Sequence, residues 1–279
     1  MEKKFNKNGI SVIVPIHTII DLEVLLPKAL DSIKNNTEQP EEIIIVRCNC
    51  PEVIEFLKDY NFGDQKDIIR IIQTKETKEF AHMVNSAVSE INTDYFSILE
   101  FDDEYSSIWF KNATKYIKQY PDVDIFLSHV IDVDDKNNFI GTTNEVVWSL
   151  GFVNGNTPED SYNNLGFLDL DSLKSFPNFQ LSGAVIKKST YEDVGGIKAN
   201  LKLSFIYEFL MRMTYNGYKV MTIPKSGYKH MNMRPNSLFW RYKNDDRYKL
   251  SQDEGKFWMT TALKEYFFNF DREITYAGN

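Results

Sequence analysis

The sequence predicts an α/β fold, a mixed and mostly parallel sheet flanked by helices, with a helical extension at its C-terminus. Three observations carry this expectation. Runs of β-branched apolar residues alternate with stretches of helical periodicity through the first 120 residues. The runs are apolar at successive positions, as in strands covered on both faces. The fourth run leads into "FSILEFDDEYSS" (96–107), with four carboxylates in five positions. That is the C-terminal end of a strand, where open α/β sheets bind their ligands.

The elements follow in order. "GISVIVPI" (9–16) is a strand broken at Pro15, and "DLEVLLPKALDSIKNN" (21–36) has apolar residues at helical spacing, with Pro27 early enough to be tolerated. The pair repeats as strand "EEIIIVRC" (41–48) and helix "PEVIEFLKDY" (51–60), then strand "DIIRIIQT" (67–74) and helix "EFAHMVNSAVSEI" (79–91). Strand "DYFSILEF" (94–101) and helix "SSIWFKNATKYIKQY" (106–120) complete the series. After Pro121 the pattern loosens. "DIFLSHVIDVD" (124–134) reads as a strand, and 141–180 is a long Asn-rich stretch, of a length that is usually functional or mobile. "FQLSGAVIKKSTYEDVGG" (179–196) is a strand and a short helix stopped by a Gly pair, followed by a helix over 206–217 and a strand over 218–224. The segment 251–270 reads as a helix with Ser251 at its N-cap and acidic residues in its first turn.

With 279 residues, 42% of them hydrophobic and 14% aromatic, the chain buries a large core, and no linker-like tract divides it. A net charge of -8 argues against nonspecific adhesion to nucleic acid or anionic lipid, which needs a basic field. The N-terminus reads as neither a signal peptide nor an anchor, and no apolar run approaches twenty residues. The expectation is a soluble or peripherally associated protein of the cytoplasm, a host's cytoplasm if the chain is viral, without stable membrane insertion. Cys48 and Cys50 are two apart, too close for an ordinary loop-closing disulfide, and are expected as small, semi-buried, unpaired residues in a reducing compartment.

The acidic run has two readings. Asp103 or Ser106 caps the next helix, which needs only one side chain. Alternatively, the carboxylates hold a hard divalent cation, Mn²⁺ or Mg²⁺, because crowded acids repel unless a cation offsets them. Glu100 and Asp102 alternate about Phe101 and are expected on one side of an extended strand end.

In order and spacing, "SVIVPIHT", "LPKALDSI", "EEIIIV", "NSAVSEINTDYFSILEFDD", "LSGAVIKKSTYEDVGGI", "EFLMRMTYNGYKV" and "IPKSGYKH" resemble the family 2 glycosyltransferases of the GT-A (Rossmann-like) fold. The resemblance implies a domain over 1–240, with a nucleotide-binding half of about 1–120 and an acceptor half of about 121–240, and 241–279 packed on it as the extension. It implies a metal-dependent transfer, inverting in the simplest case, of a sugar from a nucleotide-sugar, first of all a UDP-sugar. The acceptor would be a hydroxyl of a glycan, a protein or a lipid-linked precursor, with a modified nucleobase still open. It makes Asp102, Glu100 and His230 metal ligands, with Asp103 on metal or ribose. Pro15, His17 and Thr18 would line the nucleotide pocket, Asn85 would lie near the sugar-phosphate, and Arg234 would neutralise the leaving diphosphate.

The departures from that pattern are specific. An acidic pair expected after the second strand is replaced by Arg47 and Cys48, which unsettles UDP as the nucleotide. The pair that supplies the catalytic base is replaced by Phe205 and Ile206, leaving Glu208 as the candidate base or as half of an ion pair with Arg212, and Glu159 or Asp160 next. His17 reads equally as a loop histidine, and the basic segment 227–243 has a solvated turn as its alternative to a diphosphate-facing patch. Two further readings stand beside the enzyme: a GT-A frame that binds without catalysing, and a nucleotidyltransferase. The last lacks its Gly-rich loop after the first strand.

Overall fold

A computed structural model describes residues 6, 9–74, 79–142, 166–175, 179–201, 204–232, 234–235, 237 and 240–241. The 251–270 helix, Glu159 and Asp160 lie outside the described residues.

The first half of the chain alternates as expected: β1 (Ile10–Ile16), α1 (Leu22–Lys34), β2 (Glu42–Arg47), α2 (Pro51–Asp59), β3 (Ile69–Gln73), α3 (Phe80–Glu90) and β4 (Tyr95–Ile98). A 3₁₀ turn at Gly63–Ile68 takes the start of the expected third strand. β5 (Glu104–Tyr105) precedes α4 (Trp109–Gln119) and β6 (Ile125–Val133). β7 (Phe139–Thr142), β8 (Phe167–Leu168), α5 (Leu170–Ser175), β9 (Val185–Lys187), α6 (Lys188–Asp193), α7 (Phe205–Tyr215) and β10 (Val220–Met231) complete the order.

One mixed sheet joins them in the order β3-β2-β1-β4-β9-β6-β10-β5, with β7 on β6 and β8 on β10. β1 to β4 are mutually parallel, and β9 enters antiparallel between β4 and β6. Alternation along β1 explains the two apolar layers. Ile13 points into a core built from α3, α6 and α7, while Val12, Val14 and Ile16 point into one built from α1, α2 and α4. The chain winds outward from β1 through β2 to β3 and then returns to β1's other side as β4. This reversal is the crevice-forming switch point of open α/β sheets.

Three expectations change. The strand expected to stop at 224 continues to Met231, because parallel pairing with β6 resumes after register shifts and runs from Tyr228↔Val130 to Met231↔Val133. "GYKHM" is therefore sheet, not a loop. The acidic run is not an extended strand end, since β4 stops at Ile98 and Asp103 N–H closes a turn on Glu100 O at 3.0 Å. Cys48 and Cys50 are joined as a disulfide, with both residues buried and their Cα atoms 5.3 Å apart. That pairing removes the argument for a reducing compartment. Among the described residues, no helix is long and apolar enough to cross a membrane.

Candidate functional site

Two glycines let the sheet close over the acidic turn. Gly183 has φ +79°, and a Cβ there would lie 2.5 Å from the Tyr228 ring. In β10, a Cβ on Gly227 would lie 2.3 Å from Trp109. The bare backbone at these points allows Tyr228 to sit buried beneath the turn, its hydroxyl accepting the Glu100 N–H at 3.0 Å.

Each of the four acids then meets a different partner. Glu100 Oε1 accepts the Ser182 hydroxyl at 2.7 Å. Asp102 Oδ2 accepts Arg234 Nε at 2.8 Å. Asp103 Oδ1 accepts the Met231 N–H at 2.7 Å, so it caps no helix, and its buried Oδ2 finds no hydrogen-bond partner among the described residues. Glu104 turns away into the β5–β10 pair, where it meets Lys229 at 2.6 Å. The N-cap residue of α4, Ile108, makes no side-chain capping bond, and Asn36 Oδ1 accepts the Phe110 N–H at 3.3 Å instead.

The electrostatics follow from this burial. Glu100 is raised above the usual carboxylate range by burial and by Asp102, and Asp103 is raised well above it, again by burial first. Burial alone would lower His230, but Asp103, the 2.8 Å contact of its Nδ1 with Asp132 and the charge of Glu100 outweigh it and raise it to about 10. The turn thus carries a cationic imidazole on one side and a guanidinium on the other.

The nucleotide-pocket candidates lie along the same sheet edge. Pro15 lies buried within β1 opposite Val46, His17 packs edge-on against Phe101 at 5.5 Å, and Thr18 Oγ1 accepts the Ile20 N–H at 3.2 Å. Arg47 closes β2, and its buried Nη1 finds no hydrogen-bond partner among the described residues.

Two candidates are placed elsewhere. Asn85 donates its amide to Ile197 O at 2.8 Å and accepts the Ile197 N–H and the Tyr191 hydroxyl at its Oδ1, so it pins the chain at the Gly195–Gly196 turn. Glu208, 4% exposed, takes Arg212 Nε and Nη2 at 2.8 and 2.9 Å, and Lys198 at 2.9 Å. This is the ion-pair alternative, anchored further by Arg212 Nη2 on Gly196 O at 2.8 Å.

Among the described residues, no three His, Cys, Asp or Glu side chains are disposed to hold one ion. Asp102, Glu100 and His230 are neighbours, but Arg234 holds the first and Asp132 the third. The donor set still fits a hard cation bound by one or two carboxylates with substrate phosphates supplying the rest. The unspent Asp103 Oδ2 is the structural observation on that side. Sequence reasoning missed Ser182, Tyr228, Asp132 and Asp21 as neighbours of the turn. Only the parallel register His230↔Asp132 reveals one of them.

Solved structures share this arrangement of sheet and helices. S. aureus TarS (residues 1–349) in complex with UDP-GlcNAc superposes with a TM-score of 0.63 at 14% identity, over 93% of this chain and 67% of that one. A Pyrobaculum calidifontis mannosyltransferase in complex with GDP-Man and Mn²⁺ gives 0.53 at 16%, over 86% and 64%. At these identities the likeness shows the fold alone, and the fold is GT-A. Residues 11–174, more than half of the chain, match the Glycosyl transferase family 2 model, and the chain belongs to that family. A Staphylococcus epidermidis teichoic acid poly(glycerol phosphate) polymerase is 31% identical over 117 residues, 42% of this chain but 15% of the relative's length. An uncharacterised glycosyltransferase of Methanocaldococcus jannaschii is 23% identical over 273 residues, 96% of this chain and 83% of its own.

Proposed function

We propose that the chain is a metal-dependent glycosyltransferase of the cytoplasm that moves a sugar from a nucleotide-sugar to a hydroxyl acceptor, with inversion. The observation that carries this is the convergence of Glu100, Asp102 and Asp103 with His230 and Arg234 on one turn at the switch point of the sheet. Family membership and neighbours solved with UDP-GlcNAc and GDP-Man support a nucleotide-sugar donor.

In such a transfer the bond from the sugar carbon to the diphosphate oxygen breaks and a bond to the acceptor oxygen forms. The acceptor proton goes to a base, and the nucleoside diphosphate leaves with its charge. Asp102 with Asp103 or Glu100 would hold Mn²⁺ or Mg²⁺, which when bound would supply positive charge toward the departing diphosphate. Arg234 and protonated His230 face the same charge from the protein side. Pro15, His17 and Thr18 border the nucleoside, and Arg47 offers a guanidinium in place of an acid, which suits a carbonyl-rich base edge or a phosphate. Glu208 serves as base only after surrendering Arg212 and Lys198. Glu159 and Asp160 are therefore preferred candidates.

One observation favours a second reading, a binding protein on the same frame. Phe205 and Ile206 stand where the resemblance puts the acidic pair that supplies the base, and Glu208 is already paired with Arg212.

A thermal-shift panel of UDP-, GDP-, dTDP- and CMP-sugars, each with and without Mn²⁺, tests the proposal. A donor at 100 times its Kd stabilises by about 2.7 kcal/mol. Nucleotide release with an acceptor separates enzyme from binder. No shift with any donor in the presence of Mn²⁺ would sink both.

A further inference from the structure

We infer that Arg234 is the resting counter-ion of Asp102, and that a divalent cation and a nucleoside diphosphate enter together because the guanidinium has to leave the carboxylate for the phosphates. The inference rests on the metal-dependent reading above and deepens it.

Arg234 is held on three sides. Its Nε bonds Asp102 at 2.8 Å, its Nη1 lies 3.5 Å from Asp21 Oδ2, and its Cζ stands 5.4 Å from the Phe101 ring centroid. Arg234 is 5% exposed and the Asp102 side chain 11%, so the central pair is largely out of water. The Asp21 carboxylate is 55% exposed and more distant, a screened outer contact. A guanidinium stays charged at any working pH, so Asp102 is neutralised without metal.

A cation arriving alone therefore meets a carboxylate already satisfied. Displacing Arg234 would leave a buried positive charge with only the screened outer contact to Asp21, which is unfavourable. A diphosphate removes that obstacle, because its oxygens match the planar donor fork. Cation and nucleotide then favour each other's binding by the same factor, as linkage requires. Arg234 has opposite effects on the two half-reactions. It opposes the metal alone and assists the metal with nucleotide.

Calorimetry of the full chain tests this with Mn²⁺ alone, and with UDP or GDP added at saturating Mn²⁺. Arg234→Gln should bind Mn²⁺ alone about tenfold tighter than wild type and the nucleotide with Mn²⁺ about tenfold weaker, each about 1.4 kcal/mol. Asp21→Asn, which leaves the acidic turn intact and takes away the outer acceptor a displaced Arg234 would keep, should weaken the binding of Mn²⁺ alone, by less than about tenfold. It carries the test if Arg234→Gln fails to fold, its failure to shift Mn²⁺ affinity then counting against the inference. Nucleotide binding that needs Mn²⁺, with no gain in metal affinity for Arg234→Gln and no loss for Asp21→Asn, overturns the inference and leaves the functional proposal standing. No binding of UDP or GDP by wild type with Mn²⁺, together with no thermal shift by any of the four donors, overturns the functional proposal, and the inference with it.

Discussion

Glu208 is a buried ionisable residue and His230 a half-buried one, and their partners give them opposite predicted behaviour. Glu208 binds Arg212 through both oxygens and also meets Lys198. Breaking a buried pair of this kind typically costs about 3–5 kcal/mol. Glu208→Gln is therefore expected to lower stability by about that amount in urea titrations. A general base would instead lose turnover by about 100-fold at unchanged stability. For His230 the sign follows from its surroundings: Asp132, Asp103 and Glu100 face it, and its folded pKa is raised to about 10. An unfolded histidine titrates near about 6.5. The stability contributed by its proton is then fully present below about pH 6.5 and is lost as pH rises through about 10. His230→Gln should destabilise more at about pH 6 than at about pH 10. An equal loss at both pH values would mean that the imidazole is not held as a cation. At this scale the sequence showed which acids and cations exist, while their pairings came from the register of β10 on β6 and from the turn Glu100–Asp103.

The elements that position the turn depend on backbone without side chains. Gly183→Ala places a Cβ at left-handed φ and 2.5 Å from Tyr228, the residue whose hydroxyl holds the Glu100 N–H. Left-handed backbone alone costs about 1–2 kcal/mol, and overpacking adds about 1–3 kcal/mol. Gly195 has the same φ of +79° but nothing within 4 Å of its Cβ. Gly195→Ala should therefore show only the backbone part. The difference in unfolding free energy between the two variants isolates the clash, and nucleotide affinity should fall only for Gly183→Ala. The strands and helices of the first half were legible because each apolar run is bounded by turn residues and alternates with helical spacing. The short β5, β7 and β8 were not, since two to four residues carry no period: β5 and β8 pair with the distant β10, and β7 turns back on the adjoining β6 as a hairpin. The Cys48–Cys50 disulfide was missed for a related reason. Spacing argued against an ordinary loop-closing bridge, whereas the bend after β2 brings the two sulfurs together.

On the scale of the whole molecule, the sheet places the ends of β1, β2 and β4 on one edge and returns β10 to close it. His17, Arg47, the acidic turn and Arg234 come from positions scattered between 17 and 234, and only this topology gathers them. The fold class was readable because alternation and strand burial are local signals. The chemistry of Asn85 and Glu208 was not, because the same residue types serve equally as clamps of the Gly195–Gly196 region or as site groups. The central claim is that the turn after β4 is a cation-dependent nucleoside diphosphate site. Calorimetric affinity for UDP and for GDP, measured with Mn²⁺, with a chelator, and for Asp102→Asn with Mn²⁺, tests it directly. One nucleotide is expected to bind with Mn²⁺, to lose binding in chelator, and to bind Asp102→Asn at least about tenfold more weakly, a difference of about 1.4 kcal/mol. Equal affinity in all three conditions would contradict the claim and reduce the acidic turn to a structural feature of the sheet edge.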